Sequence, residues 1–303
     1  MTQKRAEILL AAVIAARATS LLFSKIAMNG MGIFNLLAAR FLMAFVLLAV
    51  FFKRLRHIKR HTLVRGAIMG GLFFLMLSTE LTGLKSTPSS TVSLLENTAI
   101  ILVPMSEAVL RHKLPKAATA VSALVAIGGV ALLTGQSGGF TPGMVLAVMA
   151  AVLYAAAIIT TDRFSHEDDP LTLGIVQVGT LGLLALVSSF VFEAPRLPQS
   201  GTQWLMIAGL AVICTGFGFT LQPVAQSHTT AQRAGLFCAL SPACATLLGA
   251  AALREHISVM GMCGIALILL SLLVPQLWQL AVRRASPCCP VMPSLPCAGP
   301  EIS

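Results

Sequence analysis

The sequence predicts an all-α membrane protein of ten transmembrane helices, arranged as two inverted five-helix repeats. Three observations carry this expectation. Hydrophobic residues make up 56% of the chain and charged residues 11%, against roughly a quarter charged in soluble domains. Mean hydropathy is +0.87. Ten apolar runs, each near the roughly 20 residues that cross the hydrocarbon, fill the 303 residues almost end to end. A chain exposing so little charge has the bilayer as its solvent. Its runs are continuous rather than alternating, which selects helices over a barrel.

The predicted spans are 8–28, 32–52, 64–84, 89–110, 117–134, 142–161, 171–192, 204–224, 234–253 and 257–280. The first follows Lys4 and Arg5 and lacks a convincing small-x-small cleavage site, so it reads as a retained helix. Pro104 and Pro242 fall inside the fourth and ninth spans, where each removes a backbone hydrogen bond and can kink its helix. Gly66-x-x-x-Gly70, Gly128-Gly129, Gly216-x-Gly218 and Gly261-x-x-Gly264 permit close helix approach. Trp204 and Trp278 sit at span ends, the interfacial position for aromatics. Loops of a few residues leave no room for a soluble domain. The cysteines make no zinc spacing. Residues 285–303, rich in Pro, Ser and Cys, read as a disordered tail.

The net charge of +10 sets topology and does not point to nucleic acid. Basic residues gather in alternate loops: Lys4 and Arg5, Lys53 to Arg65, Arg111 to Lys116, Arg163, Arg233, and Arg283 with Arg284. The opposite side keeps Lys25, Lys85, Arg196 and Arg254. The positive-inside rule therefore places both termini in the cytoplasm of a cell (inner) membrane protein.

Sliding the chain along itself relates two halves, 1–135 and 136–284. An offset of about 137 residues sets Arg17 against Tyr154, Lys25 against Asp162 and Arg40 against Gln177. An offset of about 142 sets Glu80 against Gln222. Identity is very low, but polar residues meet polar residues at matched depth. Five crossings per half is odd, so the second half enters the membrane upside down. Inverted halves are an architecture of secondary transporters, with the substrate site at their seam.

Ionised groups deep in a membrane cost roughly 2.5–3.5 kcal/mol even on lenient scales and usually face a partner or a cavity. Arg17, Arg40, Glu80 and Glu96 lie at such depth. One reading is that they neutralise one another and lock the first half together. The other is that they touch substrate or proton in a central cavity. Arg40 is read first as a structural ion-pair candidate. Glu96 is the proton-coupling candidate: Asn97 follows it, no opposite charge lies near it in sequence, and an unpaired buried carboxylate has a raised pKa. The candidate substrate-binding residues are Arg17, Glu80, Glu96, Asn97, Tyr154, Gln177 and Gln222. The last three serve equally as cavity liners or as interhelical hydrogen-bonders.

Phe23-Ser24-Lys25-Ile26-Ala27 closes the first span, and Leu37-Ala38-Ala39-Arg40-Phe41 follows in the second. Gly83-Leu84-Lys85-Ser86-Thr87 bends into the fourth, and Leu253-Arg254-Glu255 precedes Gly264-Ile265-Ala266-Leu267. Together these patterns resemble the EamA-like ten-helix members of the drug/metabolite transporter superfamily over residues 6–282. Two departures stand out. Arg17 replaces the Trp often found in the first span, and Arg111-His112-Lys113 stands where a Glu is expected before the fifth. The resemblance implies a monomer-sized carrier working by alternating access, such as an exporter of metabolites.

The leading functional expectation is a secondary carrier of small polar or amphipathic metabolites with no cofactor. Its partners are a small-molecule substrate and the lipid bilayer, with no nucleic acid. No Walker A sequence is present. An enzyme reading lacks a His-Glu-x-x-His or Gly-x-Ser-x-Gly signature. The alternatives are a passive channel and a non-transporting scaffold subunit.

Overall fold

The structure is a computed structural model. It describes residues 19–28, 30–48, 58–110, 117–136 and 141–227, with isolated positions from residue 8 to 16 and from 259 to 278. Arg17, the predicted ninth span, six of the 21 residues of the first, half of the tenth, and the tail lie outside the described residues. Among the described residues every element is helical. They are α1 (Ser20–Ala27), α2 (Ile33–Leu47), α3 (Arg60–Leu84), α4 (Ser89–Asn97), α5 (Ala99–Leu110), α6 (Ala117–Gln136), α7 (Pro142–Glu167), α8 (Pro170–Phe192) and α9 (Gly201–Gly209). A π-helical segment, Leu210–Phe219, and α10 (Thr220–Gln226) continue α9 without a break. Four of these units are long and apolar enough to cross a membrane: Arg60–Leu84, Pro142–Glu167, Pro170–Phe192 and Gly201–Ala225.

Helix starts follow sequence cues. Thr141 and Asp169 accept from the backbone N–H groups of Met144 and Thr172, and each is followed by a proline at N1. Ser200 and Gln203 form a capping box at α9. Two helices outrun their predicted spans. α3 begins at Arg60 instead of 64, and α7 runs on to Glu167 instead of ending at 161. Hydropathy marks where the hydrocarbon ends, whereas helices continue into water as long as their residues pair. Arg163 and Glu167 do so one turn apart, at 3.8 Å.

The fourth span is interrupted. α4 stops at Asn97 and α5 starts at Ala99, so the break falls at Thr98, ahead of Pro104, where the sequence predicts a kink. Side chains compete with the helix ladder here. Asn97 Nδ2 donates to the Ser93 carbonyl at 2.7 Å, and Thr98 Oγ1 donates to the Leu95 carbonyl at 2.6 Å.

The principal packings join the halves to each other. α3 lies on α7 and α8, α2 on α8 and the π segment, α4 and α5 on α7, and α1 on α9. Register fixes directions. Phe45 and Leu42 of α2 pack at Gly179 and Gly182 of α8, so these helices are antiparallel. Gly66 and Gly70 of α3 meet Val176 and Thr180 of α8, so this pair is parallel. Phe73 faces Tyr154, and Gly83 meets the Gly143 carbonyl, so α3 and α7 are antiparallel. Phe23 faces Gly209 and Thr19 faces Cys214, so α1 runs against the α9–π unit.

The bundle is apolar outside and keeps its deep charged and polar groups within an otherwise apolar core. Leu75, Val152, Leu183, Val187 and Phe190 are exposed, while Arg40, Glu80, Glu96 and Gln177 are buried. Water would favour the reverse. Lipid favours this arrangement, because charge is then kept from hydrocarbon.

Candidate functional site

The site centres on Arg40, the eighth residue of the fifteen in α2, whose side chain is 1% exposed. Its Nε donates to Thr215 Oγ1 at 2.6 Å and its Nη1 donates to Ser20 Oγ at 2.9 Å. The guanidinium carbon lies 5.0 Å from the Phe41 ring centroid and 5.8 Å from that of Phe219. A planar, weakly hydrated cation suits such stacking. These contacts tie α1 and α2 to the π segment.

The rings extend across the bundle. Phe219 sits 5.5 Å from Phe41 and 5.3 Å from Phe73, both edge-on, and Phe73 sits 6.3 Å from Tyr154. This layer crosses α2, the π segment, α3 and α7 at mid-height. Tyr154 is thus a layer member. The wider i→i+5 turn of the π segment aims Thr215 and Phe219 at Arg40, and such turns recur at functional sites. Nothing in the sequence marks this segment except Gly216-x-Gly218, which reads equally well as packing. Ser20, Phe41, Phe73, Thr215 and Phe219 are the members that sequence reasoning misses, being ordinary residues for apolar spans.

The other candidates surround the layer. Glu80, 6% exposed, lies two turns beyond Phe73 on α3. Glu96 and Asn97, 6% and 5% exposed, sit where α4 breaks. Gln177 on α8 and Gln222 on α10 are buried. Arg17 lies outside the described residues. Several polar atoms inside the bundle find no hydrogen-bond partner among the described residues: Ser24 Oγ, Ser78 Oγ, Thr87 Oγ1, Thr161 Oγ1, Gln177 Oε1 and Thr220 Oγ1. Each such group costs about 1–3 kcal/mol of desolvation, so six of them in one bundle point to contact with water or solute. Among the described residues no His, Cys, Asp and Glu cluster could hold a metal.

Both ends of the bundle are tied across the halves. At one end Asn35 of α2 donates to Glu193 Oε2 from its backbone and from Nδ2, both at 3.1 Å, and accepts from Ser189 Oγ at 2.7 Å. At the other, Asp168 in the α7–α8 turn accepts from Thr62 Oγ1 at 2.8 Å and Arg65 Nη1 at 2.7 Å, with His61 Nε2 at 3.0 Å. Burial alone raises the Asp168 carboxyl pKa, but hydrogen bonds from Arg65 and Thr62 and the charges of His61 and Arg65 outweigh it, leaving the pKa below its ordinary 3.8.

A depressed folded-state pKa stabilises above the unfolded value and stops doing so as pH falls through the folded one. The Asp168 contribution is therefore complete at neutral pH and is lost progressively as pH falls from about 4 through the lower folded-state value. Asp168→Asn is expected to lower stability at pH 7 by about 1 kcal/mol after solvent screening. It should also flatten the acid limb of a Tm-against-pH curve in detergent. An acid limb identical to that of the parent would remove Asp168 from the tie.

A helical bundle with several membrane-length apolar helices and charge buried inside is a multi-pass membrane protein. The profile of the EamA-like transporter family matches residues 4–135 and again 141–274. The chain belongs to that family, which makes it a transporter-type protein and not an enzyme. Two Archaeoglobus fulgidus proteins, each described as an uncharacterized transporter, are similar to it. One is 25% identical over 253 residues, covering 84% of this chain and 80% of the relative. The other is 24% identical over 202 residues, covering 66% and 72%. A solved crystal structure of another protein superposes with a TM-score of 0.69 over 93% of this chain and 99% of that one, at 21% identity. That likeness concerns the fold alone.

Proposed function

We propose that this protein is a secondary active carrier that exports small polar or amphipathic metabolites by alternating access. Its ten helices form two inverted halves, 1–135 and 136–284, followed by a cytoplasmic tail from 285. It works as a monomer in the inner membrane and needs no cofactor. The observation that carries the reading is the antiparallel run of α2 and α8 across the Arg40 layer. These helices hold equivalent positions in the two halves, as Arg40 and Gln177 do under the repeat offset. Equivalent helices that run oppositely are what inversion requires. A second exchange supports it: α3 lies antiparallel to α7, and the corresponding pair in the other order, the α9–π unit and α1, is antiparallel too.

Basic residues around Arg60, Arg65 and Arg163 support a cytoplasmic position for the Asp168 end. The Asn35–Glu193 end then faces outward. Glu96 is the proton-coupling group in this reading. The helix interruption just after Glu96 and Asn97 supports it, since discontinuous helices form coupling sites in carriers of this general kind. Glu80, Asn97, Tyr154, Gln177, Gln222 and Arg17 supply substrate contacts around the ring layer.

Counterflow in proteoliposomes tests the proposal. A panel of isotopically labelled metabolites is screened, and a carrier shows accelerated uptake of label when the lumen holds unlabelled solute. A channel or a scaffold shows no acceleration. In the same vesicles Glu96→Gln is expected to abolish uptake driven by a pH gradient while counterflow persists. Undiminished pH-driven uptake would remove Glu96 from coupling.

A further inference from the structure

Four of the hydroxyls without a partner among the described residues are those of Ser24, Ser78, Thr161 and Thr220. The offset that sets Arg40 against Gln177 also sets Ser24 against Thr161. The offset that sets Glu80 against Gln222 also sets Ser78 against Thr220. Equivalent positions in the two halves thus carry a buried hydroxyl. The first-half pair accompanies charged Arg40 and Glu80. The second-half pair accompanies neutral Gln177 and Gln222.

The second-half groups share one depth. Gly66 and Gly70 of α3 approach α8 at Leu173, Val176 and Gln177, and Gly174 of α8 lies against the Thr220 backbone. The register of α3 and α7, pinned by Phe73 with Tyr154 and by Thr62 with Asp168, brings Thr161 level with Gly66. Thr161, Gln177 and Thr220 are 1%, 2% and 1% exposed. All three lie between the ring layer and the Asp168 end.

We infer that Thr161 and Thr220 join Gln177 to line a neutral polar subsite on the cytoplasmic side of the ring layer. It takes hydrogen-bond donor groups of the passing solute: an ammonium, an amide N–H or a hydroxyl. The inference rests on the carrier reading above. Gln177 Oε1 is an acceptor, and each threonine hydroxyl offers acceptor lone pairs. A cationic donor gains a charge-assisted bond there. No carboxylate stands at 161, 177, 220 or 222 to trap it, so the subsite holds a solute and also releases it.

Thiol labelling of the full-length protein in membrane vesicles tests the inference. Thr161→Cys and Thr220→Cys are each exposed to aminoethyl, trimethylammonioethyl and sulfonatoethyl methanethiosulfonate. Modification of the engineered peptide is read by mass spectrometry and normalised to Arg60→Cys at the exposed start of α3. Both buried cysteines are expected to react. The aminoethyl reagent, which carries N–H donors, should outpace the trimethylammonium of equal charge by about tenfold or more, the lower bound of what one hydrogen bond to a charged group supplies. Gln177→Leu, and separately Gln177→Met, should erase that preference. Silence at both cysteines while Arg60→Cys reacts would mean dry packing and overturn the subsite. Equal rates for the two cations would overturn its reading of donors. Full labelling without counterflow would keep the subsite and remove the carrier, so the two readings fail separately.

Discussion

Arg40→Ala is expected to lower the stability of the detergent-solubilised protein by about 3 kcal/mol or more and to abolish counterflow. Two hydrogen bonds from a charged donor are lost, each contributing about 1.5–3 kcal/mol. The buried Thr215 hydroxyl and the part-buried Ser20 hydroxyl lose their donor. The Phe41 and Phe219 rings lose the cation they flank. Arg40→Lys keeps the charge but not the planar fork, so it should fall between parent and alanine. Thermal unfolding followed by tryptophan fluorescence measures the difference. A Tm within error of the parent would show that Arg40 does not anchor α1 and α2 to the π segment.

Gly70→Val is expected to have a comparable effect by a different route. A Cβ at Gly70 would stand 2.8 Å from Thr180 Cβ and 2.9 Å from the Gln177 carbonyl oxygen. That carbonyl belongs to helix backbone and cannot rotate aside, so α3 and α8 must separate along the seam between the halves. Overpacking of this kind costs about 1–3 kcal/mol, and more where backbone blocks the new group. Gly71→Val supplies the control, because nothing lies within 4 Å of a Cβ there. Size-exclusion profiles and Tm of the two variants decide the matter. Equal behaviour would mean that the α3–α8 contact is not tight.

Residues 64–84, 142–161, 171–192 and 204–224 announce their helices through uninterrupted hydropathy, and α3, α7, α8 and the α9–π–α10 unit lie where those runs predict. Thr141-Pro142, Asp169-Pro170 and Ser200 to Gln203 announce helix starts, because capping chemistry is local. The Thr98 break and the π segment are not announced. Both depend on which backbone bonds survive when side chains and neighbouring helices compete for them. Arg40 illustrates the division within one residue. Its depth in an apolar run is legible and marks it as exceptional. Its contacts, Ser20, Thr215, Phe41 and Phe219, come from three elements and include positions separated by 175 residues.

Composition and hydropathy by themselves determined a multi-pass helical membrane protein with charge held inside it, because every residue in a bilayer answers to the same solvent. The tertiary structure alone decided which helices of one half meet which of the other, and therefore that rings and an arginine share the centre. Helix-to-helix register is set by close fits such as Gly70 against Thr180 and Gly182 against Leu42. Such fits depend on shape at a single contact, and no pattern along one strand of sequence records the partner's shape.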